Sequence, residues 1–255
     1  MRRLPSIDMH AHIEPDISPG DLLELEALVF AATRSLDEAE QALKRSDSWT
    51  VWGVGCHPGL VGVQKTFDVD RFAELIASTT YVSEIGLDGK SRVPLHRQQE
   101  TLDTILATLE ATPRITSIHS YAATGPVLDC LAARPIRGAV LHWWLGDQEQ
   151  TERAVELGCF FSVNASMLWK PDVLAGLPLD RVLPETDHPF GDKSSGRGRR
   201  PGNVVDVEYA LAQAHGLDHP RVRQKTWRNL TELVRTTKCG ALFPRPVQIA
   251  LAASA

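Results

Sequence analysis

Short apolar runs alternate with segments of helical periodicity along most of the chain. Eight runs rich in β-branched and other apolar residues are predicted to be strands, at positions 6–9, 27–32, 50–55, 81–85, 115–118, 138–141, 159–163 and 181–184. Helix-like segments with apolar residues every three or four positions follow most of them, at 35–45, 69–78, 95–111, 125–133, 148–157 and 170–176. Ser35 followed by Glu38 predicts a capping box at the start of the first of these helices. Two further helices are predicted at 203–215 and 219–236.

This alternation predicts an α/β fold with a parallel sheet. Eight units without a break in composition favour a closed TIM (β/α)8 barrel in a single domain, and an open doubly wound sheet is the alternative. Residues 1–238 are expected to form the barrel, and residues 239–255, which end in FPRPVQIALAASA, a frayed C-terminal tail. The connection between the first two strands contains Pro15, Pro19 and Gly20 and is expected to be a loop with one short helix.

Composition changes this interpretation little but excludes some functions. Hydrophobic residues make up 43% and charged residues 23% of the 255 positions, as in soluble globular proteins. The formal net charge of −5 argues against a basic nucleic-acid coat, although a local basic patch remains compatible with it. No apolar segment has the roughly 20 residues needed to cross a bilayer, so we expect a soluble, cytoplasmic protein without a membrane partner. Four widely spaced cysteines without a CxxC pair are expected to be buried, reduced thiols: Cys56, Cys130, Cys159 and Cys239.

Histidine and carboxylate residues stand at the C-terminal ends of the predicted strands, where barrel enzymes build their sites. The residues in these positions are His10, His12, Glu84, His119, His142 and Asp187. Burying so many unpaired polar groups would cost roughly a few kcal/mol each, and they are the ligand types of divalent metals, so a metal site explains them best. His10 and His12 lie two positions apart on a strand and should point the same way, with Ala11 pointing away.

These residue types suit metal-assisted hydrolysis with two divalent ions. His10 and His12 would hold the first ion, Glu84 would bridge the two, and His119 with His142 would complete the second. Asp187 would bind the first ion and accept the proton of the attacking water, so Asp187 and Glu84 are the predicted catalytic residues. The residue types do not select among Mg²⁺, Mn²⁺ and Zn²⁺.

Two other histidines lie near these positions without an obvious ligand role. His57, in GVGCHPG, is expected to contact substrate, or else only to close a Pro/Gly turn. His188 follows Asp187 directly and is a candidate substrate contact, an outer partner of the metal site or a helix cap.

Several segments resemble the TatD family of metal-dependent nucleases in order and approximate spacing, over positions 4 to about 235. They are SIDMHAHI, GVGCHPGL, VSEIGLDG, ITSIHS, AVLHWWLG, LGCFFSVN and RVLPETDHPF. The resemblance implies a divalent-metal deoxyribonuclease, often a 3′-to-5′ exonuclease on single-stranded DNA. It implies the same six ligands that the strand ends indicate.

Finer features resemble one branch and depart from the wider family. EIGLDGKSR, LHWWLG, GCFFSVNASML and ETDHPFG are similar to the TatD-type nuclease of the multi-gene Qat antiphage defence system, which implies other Qat proteins as partners and phage DNA as target. Tyr121 stands where many members have an arginine, and Trp143 and Trp144 replace the usual Cys-Phe. Loss of that arginine removes one possible phosphate contact, so strand preference does not carry over from the family.

The chain also contains candidate contacts for DNA. The loop DKSSGRGRR is locally basic and would lie over the metal face as a phosphate clamp, or else be a solvated loop. Its cations are Lys193, Arg197, Arg199 and Arg200. Tyr121, Trp143 and Trp144 follow ligand positions and are candidates for stacking on unpaired bases. Because adjacent residues leaving a strand point in opposite directions, only one of the two tryptophans is expected to line the site.

Three functions are compatible with these patterns. Metal-dependent hydrolysis of DNA accounts for the ligands, the basic loop and the aromatic residues together. A small-molecule ester, lactone or amide hydrolase would use the same barrel and ions without the basic loop. A non-catalytic DNA-binding subunit of a defence complex would not need an intact ligand set.

Overall fold

A computed structural model describes residues 4–196 and 198–254. Its eight strands are β1 (Ser6–His12), β2 (Ala27–Ala32), β3 (Thr50–Trp52), β4 (Tyr81–Gly86), β5 (Ile115–His119), β6 (Ala139–Leu141), β7 (Phe160–Val163) and β8 (Val182–Pro184). The helices of its first half are α1 (Pro19–Leu23), α2 (Leu36–Ala42), α3 (Val61–Lys65), α4 (Val69–Ile76) and α5 (Leu95–Ala111). Those of its second half are α6 (Thr124–Ala133), α7 (Gln148–Glu156), α8 (Pro171–Gly176), α9 (Val205–Ala214), α10 (His219–Thr237) and α11 (Arg245–Ala252).

The strands close into a barrel. Parallel ladders run through β1–β2–β3 and through β4–β5–β6–β7–β8. A parallel bridge between Val54 and Val82 joins β3 to β4. On the other side, the Asp187 N–H donates to the His10 carbonyl at 2.8 Å, and the His12 N–H to the His188 carbonyl at 2.9 Å. The fold is therefore a single-domain α/β TIM barrel, and the alternative of an open doubly wound sheet is wrong.

All eight predicted strands are present, with ends that differ by a few residues. The largest differences, of three residues each, are at β1, which continues to His12 instead of ending at position 9, and at β3, which ends at Trp52 instead of position 55. The predicted capping box at Ser35 forms only in part: Ser35 accepts a hydrogen bond from the Glu38 N–H, but the Glu38 carboxylate accepts from the Arg34 N–H. Both contacts still satisfy free N–H groups at the start of α2.

At the N-terminal end of the barrel, the interior is an apolar core that the C-terminal helices cover. Side chains such as Ile7 and Met9 in the barrel pack in one cluster with Trp227 of α10 and with Val247 and Leu251 of α11. Val247 is completely buried. The expected frayed tail is therefore wrong for this segment, because the apolar face of α11 covers the N-terminal end of the barrel.

Two predictions from composition can be compared with the structure. All four cysteines lie within the described residues and are free, and Cys130 alone is only half-buried. Burial raises the pKa of the Cys56 and Cys159 thiols to about 12. Within the described part of the chain, no helix is long and apolar enough to span a membrane.

Candidate metal centre

The paired histidines of β1 face one another at the C-terminal end of the barrel. The Nε2 atoms of His10 and His12 lie 3.4 Å apart, so the two rings point to the same place as predicted. Ala11, between them, packs in a cluster outside the barrel. The Nδ1 of His10 lies 2.8 Å from the Ser117 hydroxyl, which holds this ring with Nε2 towards the centre.

Asp187 joins this pair from the end of β8. Its Oδ1 lies 3.8 Å from His10 Nε2 and 3.6 Å from His12 Nε2, and the three residues form one potential ligand group. The Asp187 backbone has φ of 44°, a left-handed conformation that is costly for a non-glycine residue and often occurs at functional sites. The bonds from the Asp187 N–H to His10 and from the Phe190 N–H to the Asp187 carbonyl hold this turn in place.

Glu84, His119 and His142 form a second ligand group beside the first. Glu84 Oε1 lies 2.7 Å from His119 Nδ1 and 3.4 Å from His142 Nε2. Its other oxygen, Oε2, lies 3.5 Å from His12 Nε2 in the first group. Glu84 thus stands between the two groups, in the place expected of a bridging carboxylate.

Unsatisfied ring nitrogens show that these residues fit a divalent cation. His12 Nδ1 and His119 Nε2 are buried without a hydrogen-bond partner among the described residues. An unsatisfied buried polar atom costs about 1–3 kcal/mol. A cation shared by imidazole and carboxylate ligands would use the lone pairs that converge here, and this ligand set suits Zn²⁺ or Mn²⁺ better than it suits Ca²⁺.

Three of the six candidate ligands are already in the protonation state that binds a metal. Burial lowers the pKa of His12 to about 4 and that of His10 well below its ordinary value, so both rings are neutral at pH 7. Burial raises the pKa of Glu84, but the neighbouring imidazoles of His57 and His119 outweigh it, and the pKa lies well below its usual range. Neutral imidazole and ionised carboxylate are the forms that bind metals.

His142 and Asp187 are not in these forms. Burial lowers the pKa of His142, but the Glu185 carboxylate outweighs this effect and raises the pKa well above its ordinary value. Burial raises the pKa of Asp187 well above its ordinary value. A cation would therefore displace a proton from each of these two side chains.

Glu185, which the sequence interpretation missed, supports the second group from behind. This fully buried carboxylate accepts hydrogen bonds at Oε1 from the Trp143 N–H at 3.0 Å and from Asn164 Nδ2 at 3.1 Å. The same oxygen lies 3.3 Å from His142 Nδ1. A carboxylate in this place orients a ligating imidazole with Nε2 towards the ion. The signal in the sequence was an acidic residue two positions before Asp187, directly after the buried strand β8.

Asp8 is a second buried carboxylate that the sequence interpretation missed. It accepts hydrogen bonds from the Thr186 N–H at 2.8 Å, the Thr186 hydroxyl at 2.7 Å and the Gly202 N–H at 2.7 Å. These bonds tie β1 to the turn that carries Asp187. Burial raises the pKa of Asp8 to about 7. The signal was a charged residue inside the otherwise apolar start of β1.

His57 lies at the edge of the centre, outside both ligand groups. Its Nε2 is 3.4 Å from Glu84 Oε2, and its Nδ1 accepts a hydrogen bond from the Gly59 N–H at 2.9 Å. Burial lowers the pKa of this ring. The position is compatible with the predicted substrate contact, which stays a prediction.

The two tryptophans after His142 differ in environment. Trp144 is completely buried, and its indole N–H donates to the Thr151 hydroxyl at 2.9 Å, so the prediction that it contacts substrate is wrong. Trp143 is half-buried, which agrees with the expectation that only one of the pair lines the site. Tyr121, after β5, is 56% exposed.

The basic loop after β8 is partly engaged by its own carboxylate. His188 and Arg199 both contact Asp192, which is buried, so neither side chain is free of a partner. Lys193 and Arg200 are exposed. Arg197 lies outside the described residues.

Two further aromatic residues at this end of the barrel were missed by the sequence interpretation. Phe190 is 48% exposed, and its ring lies edge-on to His12 with ring centres 5.6 Å apart. Trp169, in the loop after β7, is 72% exposed, and Lys170 Nζ lies 4.7 Å from its ring centre. Both follow a strand end, but only the structure shows their exposure.

Comparisons with known proteins agree with this geometry. YjjV of Escherichia coli K12, described as an uncharacterized metal-dependent hydrolase, is 28% identical over 230 residues, covering 81% of this chain and 89% of YjjV. YcfH of the same organism, with the same description, is 27% identical over 198 residues, or 72% of this chain and 73% of YcfH.

Solved structures share the fold. The crystal structure of YjjV, a TatD homologue, superposes with a TM-score of 0.79 at 24% identity, covering 89% of this chain and 97% of YjjV. A TatD family hydrolase from Entamoeba histolytica gives a TM-score of 0.75 at 15% identity, covering 91% of this chain and 99% of the Entamoeba chain. The family model described as TatD related DNase matches residues 7–235. The chain belongs to this TatD-related DNase family of metal-dependent hydrolases.

Proposed function

We propose that the protein hydrolyses phosphodiester bonds of DNA, preferring single-stranded DNA and cutting from an end. The observation that carries the proposal is the pair of ligand groups joined through Glu84 at the mouth of the barrel. The match of residues 7–235 to a family model described as TatD related DNase supports DNA as the substrate class.

Each ligand group has a distinct task in this reaction. His10, His12 and Asp187 would hold one divalent ion, and Glu84, His119 and His142 the other. Such ions polarise a phosphoryl oxygen and make a water molecule more acidic. Asp187, as an ionised ligand of the first ion, would accept the proton of the attacking water.

Exposed side chains around the mouth favour a flexible, anionic polymer as the substrate. The aromatic rings of Tyr121, Trp169 and Phe190 are available to stack on bases, which requires bases that are not paired. Lys193 and Arg200 are exposed cations that can contact phosphates. A small neutral ester or lactone would need neither set.

The catalytic test compares wild type with Asp187→Asn on end-labelled single-stranded and duplex DNA, with Mg²⁺, Mn²⁺ or Zn²⁺ added to metal-free protein. Wild type should shorten the single strand in a metal-dependent manner, and Asp187→Asn should bind it without cutting. Asp180→Asn, which changes an exposed carboxylate before β8, is the matched control and should cut normally. Intact DNA together with hydrolysis of a lactone or simple ester would replace the proposal with a small-molecule hydrolase.

We further propose a role in antiphage defence beside other Qat proteins, on the basis of the sequence segments that resemble that branch. Cells that express the complete gene set should resist phage, and cells in which only this protein carries Asp187→Asn should not. If cells that express the gene set with Asp187→Asn in this protein are still fully protected, the role of the protein is instead non-catalytic DNA binding.

A further inference from the structure

His57 is held at the metal centre through its backbone and does not belong to either ligand group among the described residues. Its N–H donates to the Arg34 carbonyl at 3.0 Å, and its carbonyl accepts from Gln64 Nε2 at 3.3 Å. The imidazole ring is therefore fixed beside Glu84, with a side chain that is 20% exposed towards the mouth.

The hydrogen bond from Gly59 decides which nitrogen of this ring carries the proton. Because His57 Nδ1 accepts from the Gly59 N–H at 2.9 Å, that nitrogen has its lone pair free and bears no hydrogen. The ring is then neutral and its proton is on Nε2. A β-carbon at position 59 would lie 3.0 Å from His57 Cε1, so glycine permits this close approach.

A protonated Nε2 has no lone pair for a metal, which separates His57 from the ligating histidines. The nearest carboxylate oxygen, Glu84 Oε2, lies 3.4 Å away, and among the described residues no hydrogen bond forms between them. In His12, by contrast, Nδ1 has no partner and Nε2 belongs to a ligand group. The Nε2–H of His57 is a fixed donor at the rim of the centre, available to a substrate.

We propose that His57, held as the Nε2–H tautomer by the Gly59 N–H, donates a hydrogen bond to a non-bridging oxygen of the scissile phosphodiester. This role rests on the proposed function. No proton is transferred, since loss of the Nε2 proton would leave an imidazolate and gain of one at Nδ1 would break the bond to Gly59. The donor acts on the oxygen where negative charge develops, and removal of one such donor typically lowers kcat by about 10²–10³-fold.

The experiment measures kcat, KM, bound metal and melting temperature for wild type, His57→Ala, His57→Gln and Gly59→Ala on a single-stranded oligonucleotide. We expect His57→Ala to lower kcat by about 10²–10³-fold, with little change in KM, metal content or melting temperature. His57→Gln retains an N–H donor and should recover part of the rate. Gly59→Ala displaces the ring and should lower kcat less than His57→Ala. His96→Ala, at an exposed histidine of α5, is the matched control.

A readout independent of activity is the tautomer itself. Long-range proton–nitrogen NMR of selectively labelled wild type should show an unprotonated Nδ1 and a protonated Nε2 at His57, and Gly59→Ala should weaken this preference. An Nδ1–H tautomer, loss of metal in His57→Ala or an unchanged kcat in that variant would overturn the inference. Failure of wild type to cut DNA would instead refute the proposed function, while the NMR result would still report the tautomer.

Discussion

Replacing Glu185 with glutamine should weaken metal binding without unfolding the barrel. The glutamine side-chain oxygen can still accept from the Trp143 N–H and Asn164, which lie 3.0 and 3.1 Å from Glu185 Oε1. What changes is the contact with His142 Nδ1 at 3.3 Å, where a neutral amide replaces a carboxylate. Hydrogen bonds to an ionised acceptor are roughly twice as strong as neutral ones, so the ring is held less firmly and is a poorer ligand.

The loss of an outer partner of a metal-binding histidine typically costs 10–100-fold in metal affinity, or about 1.4–2.7 kcal/mol. Calorimetric titration of metal-free protein with Mn²⁺ would measure this change, and we expect it at the ion held by His142 and not at the ion held by His12. Glu149→Gln, at an exposed position of α7, is the matched control. Unchanged Mn²⁺ affinity in a folded Glu185→Gln protein would refute the assigned role, and so would an equal loss at both ions.

Three further predictions concern the base of the barrel, its mouth and its thiols. Val247→Ala should lower the free energy of unfolding by about 2 kcal/mol, because this side chain is fully buried. The control Ile249→Ala, on the exposed face of α11, should change it by less than about 0.5 kcal/mol. Urea denaturation measures both values. Phe190→Ala should weaken binding of a phosphorothioate single strand by about 1–3 kcal/mol in fluorescence anisotropy, and an unchanged Kd would exclude stacking on this ring. Because burial raises the pKa of Cys56 and Cys159 to about 12, only about 10⁻⁴ of each thiol is thiolate at pH 8. These two thiols of the native protein should therefore react slowly with a disulfide reagent at pH 8, and the rate should increase as the pH rises. Rapid native reaction of either thiol at pH 8 would contradict that burial.

The strands and the six candidate ligands could be predicted from the sequence because both are local signals. A run of apolar residues indicates a buried strand, and a polar residue at its end stands out against that run. In a parallel barrel all such ends meet at one face, so the positions of His10, His119 and Asp187 could be inferred without knowing any distance.

The outer contacts of the site depended on tertiary structure. Asp8 bonds Thr186 across 178 positions of the chain, and Glu185 faces His142 across 43. No local pattern encodes such a pairing, because each carboxylate would also be compatible with an exposed position. The same limit applied to Trp144, since periodicity indicated that one tryptophan of the pair is buried but did not identify which.

The sequence by itself thus determined the fold class and the candidate metal-binding side chains, whereas only the tertiary structure decided how those side chains are oriented and what closes the barrel. Residues 239–255 were expected to be a frayed tail. In the structure, Val247 and Leu251 are buried against the open lower end of the barrel. Burial of apolar surface stabilises α11 there, and that surface exists only after the eight strands have closed.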